Sequence, residues 1–85
     1  MSKSKQKAIA LKYPEWADAP FITVNEKGLL AEKVISIAKE NNIPVIESPE
    51  TADILSLSEA GSMIPEETYA VLAEIFAFIH RLDME

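Results

Sequence analysis

Three stretches decide the fold: Pro20-Phe-Ile-Thr-Val24, Leu29-Leu-Ala-Glu-Lys-Val-Ile-Ser-Ile-Ala-Lys-Glu-Asn41 and Ile43-Pro-Val-Ile46. The first is an aromatic and β-branched run, the composition that suits a pleated, half-buried strand. In the second, Leu30, Val34, Ile37 and Ala38 recur at spacings of three and four, which puts them on one face of a helix. Asn41-Asn42 stops that helix, because asparagine tolerates the left-handed conformation used at helix C-termini. The third stretch then reads as a short buried strand. Strand, helix and strand within about 27 residues predict a compact βαβ unit with parallel strands.

On the N-terminal side, Ala8-Ile-Ala-Leu-Lys-Tyr13 is a short apolar run closed by Pro14, which cannot donate to a sheet ladder, so it reads as another strand. The polar segment Pro14-Glu-Trp-Ala-Asp-Ala19 connects the two. On the C-terminal side, Ser48-Pro49-Glu50 is a helix start: Ser48 as N-cap, Pro49 at the first position, Glu50 at the positive end of the macrodipole. That helix is expected to reach about Ala60, with Gly61 at its C-terminal cap. Pro65-Glu66-Glu67 repeats the start signal. Tyr69, Leu72, Ile75, Phe76, Ile79 and Leu82 then form a broad apolar stripe, flanked by Val71, Ala73 and Phe78, over a helix ending near Leu82.

The predicted class is therefore α/β: a small mixed β-sheet of three to four short strands packed with about three helices and containing one βαβ unit. Residues 1–7 form a basic arm expected to be flexible, and residues 8–85 a single domain without repeat or linker. At 85 residues and 48% hydrophobic, the chain carries enough apolar material for a packed core but remains a marginally stable size. The last helix's stripe is wider than so small a sheet covers, and its surplus reads either as core or as a partner site.

Composition removes several kinds of function. Without cysteine there is no disulfide, thiolate metal site or redox thiol, which fits a cytoplasmic protein. No apolar run approaches the roughly 18–20 residues that span a bilayer, and the polar start lacks the apolar stretch of a signal peptide. The formal net charge is -6, and the only concentrated positive charge is Lys3, Lys5, Lys7 and Lys12, too little to indicate nucleic acid binding. That arm is either a solvated terminus or a contact for anionic lipid. His80 is the only histidine, which excludes a multi-histidine metal site; near a helix end its ring suits the exposed carbonyls. Glu66-Glu67 stabilise a helix start on their own account, Gly28 and Gly61 are too far apart for a phosphate loop, and no general base accompanies Ser56 or Ser58. Tyr13 and Trp16 either pack on the sheet or anchor a partner. No cofactor is called for.

Several strings, in order, carry a resemblance across nearly the whole chain. They are Ala8-Ile-Ala-Leu-Lys-Tyr13, Ala19-Pro20, Leu30-Ala31-Glu32-Lys33, Ile37-Ala38-Lys39-Glu40-Asn41-Asn42-Ile43-Pro44-Val45, Ile64-Pro65-Glu66-Glu67-Thr68-Tyr69 and Ala73-Glu74-Ile75. Together they resemble the cytoplasmic C-terminal domain of the type III export switch family, whose flagellar member is FlhB. In that family an Asn-Pro-Thr-His motif precedes the first string, and the chain cuts itself between Asn and Pro. Lys3-Ser4-Lys5-Gln6 occupies those positions here. Asn25, Asn41 and Asn42 are followed by Glu, Asn and Ile, so the chain has no Asn-Pro bond and that self-cleavage cannot occur.

The chain looks like the family's post-cleavage fragment made as a separate product, without the relatives' transmembrane helices. The resemblance implies a non-enzymatic component of the flagellar export apparatus, cytoplasmic and held at the inner face of the membrane through that apparatus. Its implied partners are export gate proteins and early rod and hook subunits, and its implied role is substrate docking and specificity switching. The implied docking pocket falls by position on Ala19, Pro20, Ala73 and Phe76, with Phe76 standing where the family usually has leucine. The alternative is an adaptor or regulatory domain that reuses the fold outside secretion.

Overall fold

The computed structural model describes residues 5–83. Its elements run β1 (Lys7–Lys12), β2 (Phe21–Lys27), α1 (Gly28–Glu40), α2 (Pro49–Leu55), a 3-10 turn (Glu66–Thr68) and α3 (Tyr69–Asp83). The α/β class with three helices is as the patterning predicts; α1 and α2 start within about a residue of their predicted positions, whereas the predicted start at Pro65-Glu66-Glu67 forms a 3-10 turn and α3 itself begins at Tyr69. Of the basic arm expected over 1–7, residues 1–4 lie outside the described residues and Lys7 is the first residue of β1.

β1 and β2 pair antiparallel, with Lys7 opposite Lys27 and Lys12 opposite Phe21. The register shifts once: Ala10 faces Val24 while Leu11 faces Ile22, which leaves Thr23 as an extra residue in β2. The Thr23 hydroxyl donates to the Ala10 carbonyl at 3.2 Å, replacing part of what the bulge removes from the ladder.

The expected strand at Ile43–Ile46 does not form, and with it goes the βαβ unit: the sheet has two strands, antiparallel, and no parallel pair among the described residues. Two causes are visible. First, α1 ends in a Schellman arrangement, with Asn42 at φ 58°, Ile43 N–H bonded to the Ala38 carbonyl at 2.9 Å and Asn42 N–H to Lys39 at 3.2 Å. Pro44 follows at once and has no N–H to give a ladder. Second, both edges of β2 are already occupied. β1 holds one; on the other, Ile22 N–H donates to Ser62 (2.8 Å), Gly61 N–H to Ile22 (2.7 Å) and Ile64 N–H to Pro20 (3.0 Å). Residues 61–64 thus supply the third pairing, recorded as a single antiparallel bridge between Phe21 and Met63. Ile43, Val45 and Ile46 remain exposed.

Two smaller expectations change for related reasons. α2 stops at Leu55 and not near Ala60, because the Asn25 side-chain amide donates to the carbonyls of Ser56 (3.0 Å) and Ser58 (2.7 Å) and draws the chain onto the sheet. Gly61, predicted as a helix cap, lies at φ 96° in the turn that delivers residues 61–64 to β2. In α1 the buried position is Ala31, with Val34, Ile35 and Ala38 half-buried, so the inward stripe is rotated from the predicted one and Leu30 and Ile37 face outward.

The main core is Ala19, Ile22, Leu55, Ile64 and Leu72, with Ile9, Leu11, Val71, Ile75 and Phe76 packed against it. Alternation along β1 puts Ala8 and Ala10 on the opposite sheet face from Ile9 and Leu11. α1 packs on both strands, and the buried alanines Ala8 and Ala31 stand apart from the main cluster, as a helix lying close on that second face requires.

β2 passes into α1 with no loop between them, and the direction change falls on Gly28, at φ 65°. A Cβ at Gly28 would meet nothing within 4 Å, so an alanine there pays for backbone conformation alone. Gly28→Ala is expected to lower stability by about 1–2 kcal/mol with unchanged secondary structure, read as a lower urea midpoint at constant m-value.

Candidate functional site

Residues 13–20 join β1 to β2 and run past α3. Pro14 starts a turn closed by Ala17 N–H donating to its carbonyl at 3.1 Å. The Tyr13 hydroxyl reaches across the loop to the Asp18 carbonyl at 3.4 Å, while its ring meets Phe76 of α3 edge-on, centroids 5.7 Å apart at 62°. This edge-to-face geometry suits the ring quadrupoles. It ties the loop to the helix. Trp16 sits 5.6 Å from Phe21 and is 78% exposed, so its indole lies on the surface with one side against the strand.

The four residues of the predicted pocket divide by depth. Ala19 is 2% exposed and belongs to the main core; Pro20 is buried at the entry of β2, its carbonyl held by Ile64 N–H. Proline fits there because the edge it faces needs only its carbonyl. Ala73 is exposed and Phe76 half-buried. Ala19 and Phe76 are brought together around the same core cluster. Ala19 thus lies in the core on which Phe76 packs, while Ala73 faces solvent.

On α3, Tyr69, Ala73 and Phe76 are spaced four and three apart and share one stripe. Ala73 is the small residue between the two aromatic ones on that stripe, and Tyr13 meets Phe76 from the loop side. Tyr69 and Tyr13 are exposed. The side chains of this group are apolar apart from the two tyrosine hydroxyls. Tyr13 is the member that sequence reasoning left undecided between packing and anchoring; the contact with Phe76 shows that it packs and lines the surface at once.

The polar residues singled out in the sequence have structural employment. His80 and Arg81 occupy the last turn of α3, favourable at the negative end of the helix dipole. Ser56 Oγ donates to the Asp53 carbonyl at 2.7 Å. Among the described residues no group of three or more His, Asp or Glu side chains is placed to hold a metal, and no helix is long and apolar enough to cross a membrane.

Fold and surface together define a small α/β domain in which a loop and a helix present apolar side chains around one alanine. The sequence pattern of the FlhB HrpN YscU SpaS Family matches residues 4–79, and the chain belongs to this family. It is 42% identical over 74 residues to the flagellar biosynthetic protein FlhB of Aquifex aeolicus, a match covering 85% of this chain and 21% of that protein. It is also 37% identical over 79 residues to the uncharacterized protein YlqH of Bacillus subtilis, covering 92% of this chain and 85% of YlqH. Among solved structures, the PscU C-terminal domain superposes with a TM-score of 0.81 at 26% identity, over 87% of this chain and 96% of that one. The chain thus spans about a fifth of FlhB, and nearly all of the PscU domain.

The Tyr13–Phe76 contact is measurable. A double-mutant cycle between Tyr13→Ala and Phe76→Ala is expected to give a coupling of about 0.5–1.5 kcal/mol in denaturant unfolding, beyond the separate losses of buried area.

Proposed function

We propose that this chain is a non-catalytic component of a bacterial type III export apparatus of the flagellar kind, acting as the cytoplasmic fragment of FlhB does: docking export subunits and taking part in the specificity switch. Family membership over residues 4–79 supports the system, and the Tyr13, Tyr69, Ala73 and Phe76 surface supports the mode of action. The occupant is a short extended segment of an early rod or hook subunit, with an apolar side chain seated over Ala73. Work then takes place on the cytoplasmic side, against the export gate at the inner face of the membrane. The chain has no Asn-Pro bond, so whatever switching it performs does not pass through the family's self-cleavage.

The observation that carries this reading is the exposure of Ala73 in the middle of an otherwise large-residue stripe. A carboxylate there would be solvated in the free protein and desolvated under an apolar ligand, at a cost of several kcal/mol. Ala73→Asp is therefore expected to leave the circular dichroism and urea midpoint nearly unchanged while weakening binding to a purified early rod or hook subunit by tenfold or more. Unchanged affinity in calorimetric titration removes the pocket assignment.

A second reading is an adaptor that uses the fold outside secretion; the match covering 85% of YlqH shows that a similar domain makes up most of another protein. Motility separates the two. In a flagellated strain whose FlhB ends at its Asn-Pro bond, supplying this chain from a plasmid restores swimming if the export reading holds. Failure, with the protein folded and an authentic FlhB fragment rescuing in parallel, leaves the adaptor.

A further inference from the structure

The charge of this chain is divided along its length. Residues 1–39 contain seven of the eight lysines and arginines and four of the 14 acidic residues, a net of +3; residues 40–85 contain one and ten, a net of -9. The fold gathers part of the positive share. Lys5, Lys7 and Lys27 line one shallow recess with Gln6, Gly28 and Asp53. Lys7 and Lys27 are direct cross-strand partners. Like charges opposite one another in an antiparallel ladder destabilise it, and the first turn of α1, which follows Lys27, contains no acidic residue to offset them. The single carboxylate in the recess is Asp53 of α2, which pairs with Lys7 at 2.6 Å and leaves Lys27 without an ion pair among the described residues.

Directly after Gly28, which lines the recess, the chain carries two large apolar side chains turned to solvent. Leu29 and Leu30, the two residues after Gly28, are 65% and 59% exposed, although they open a helix whose inward stripe is Ala31, Val34, Ile35 and Ala38. They contribute little to the core. Cations flanking exposed leucines make a surface in which ammonium groups meet phosphate while aliphatic groups enter the acyl boundary. A free phosphate would use the lysines and leave the leucines in water; an acidic protein segment would do the same.

We propose that this edge, Lys5, Lys7 and Lys27 with Leu29 and Leu30, is a docking surface for an anionic phospholipid bilayer. The net negative charge of the whole chain does not forbid this, because at physiological ionic strength charges more than about 8 Å from the bilayer are largely screened. The molecule extends 41 Å along its longest axis, so a large part of it lies beyond that distance from any one contact surface. Asp53 then tunes the patch: by pairing with Lys7 it withholds one ammonium from the lipid. The inference is independent of the export reading, since it uses none of the Tyr13, Ala73 and Phe76 surface.

The test is vesicle flotation of the full chain with pure phosphatidylcholine and with phosphatidylcholine containing about a third phosphatidylglycerol. Binding is expected to the anionic vesicles only and to fall as salt is raised. Each lysine at such a surface is worth about fivefold in partitioning, so Lys5→Ala with Lys27→Ala should cost tenfold or more. Leu29→Ser with Leu30→Ser should weaken binding as well, and the loss should persist at every salt concentration. Asp53→Asn should strengthen binding severalfold by freeing Lys7, an effect that a purely structural role for the ion pair would not produce. All these side chains are exposed or rim the recess, so circular dichroism should show the folded protein throughout. Equal binding to both vesicle types, or none, overturns the proposal. So does loss in the lysine variant with none in the leucine variant, which would show adsorption through charge alone, without the leucines entering the acyl boundary.

Discussion

Everything in this fold depends on β2 being paired along both of its edges around Ile22. That side chain is fully buried, and its backbone N–H and carbonyl bond to Ser62 and Gly61 while β1 takes the other edge. A two-stranded hairpin on its own is marginal in water. Here the hairpin survives because residues 61–64 return to β2 from the far side of α2 and bring Ile64 into the same core. The 3-10 turn and α3 begin immediately after that return, so the position of α3 is inherited from the pairing at Ile22.

The elements around this centre are held by few but specific contacts. α2 is only two turns long and is tied twice to the sheet at its C-terminal half, by Lys7 to Asp53 before it finishes and by the Asn25 amide to the carbonyls just after it. The Asn25 amide oxygen, by contrast, is buried without a hydrogen bond. That cost is accepted because the two bonds made by its nitrogen close the end of α2, where helix carbonyls would otherwise go unpaired. The same economy holds at Thr68, buried with its hydroxyl donating to the Pro65 carbonyl at 2.7 Å.

With so little chain invested in the core, much apolar surface is left outside it, and it falls in separate places. The stripe Tyr69, Ala73 and Phe76 on α3, met by Tyr13 from the loop, is apolar. The opening of α1 combines leucines with lysines. These two surfaces differ in chemistry. Both lie on a domain whose sequence contains no Asn-Pro bond.

What the sequence by itself determined was local. The strand character of Phe21–Lys27, the left-handed stop at Asn42, the proline at the start of α2 and the Pro-Glu-Glu entry to α3 are set by φ preferences and capping chemistry within a few residues, and each stands where the patterning places it. The ordered strings shared with the export switch family were also legible, since they need no partner to be read. Tertiary structure alone decided which apolar runs would pair. Ile43–Ile46 has the composition of a buried strand, yet Gly61–Ile64 takes the edge, because edge pairing is a competition for one row of N–H and carbonyl groups that local composition does not resolve. The depth of the pocket residues was hidden for the same reason: Ala19 and Ala73 are identical side chains, and only the packing of the 13–20 loop under α3 buries one and exposes the other.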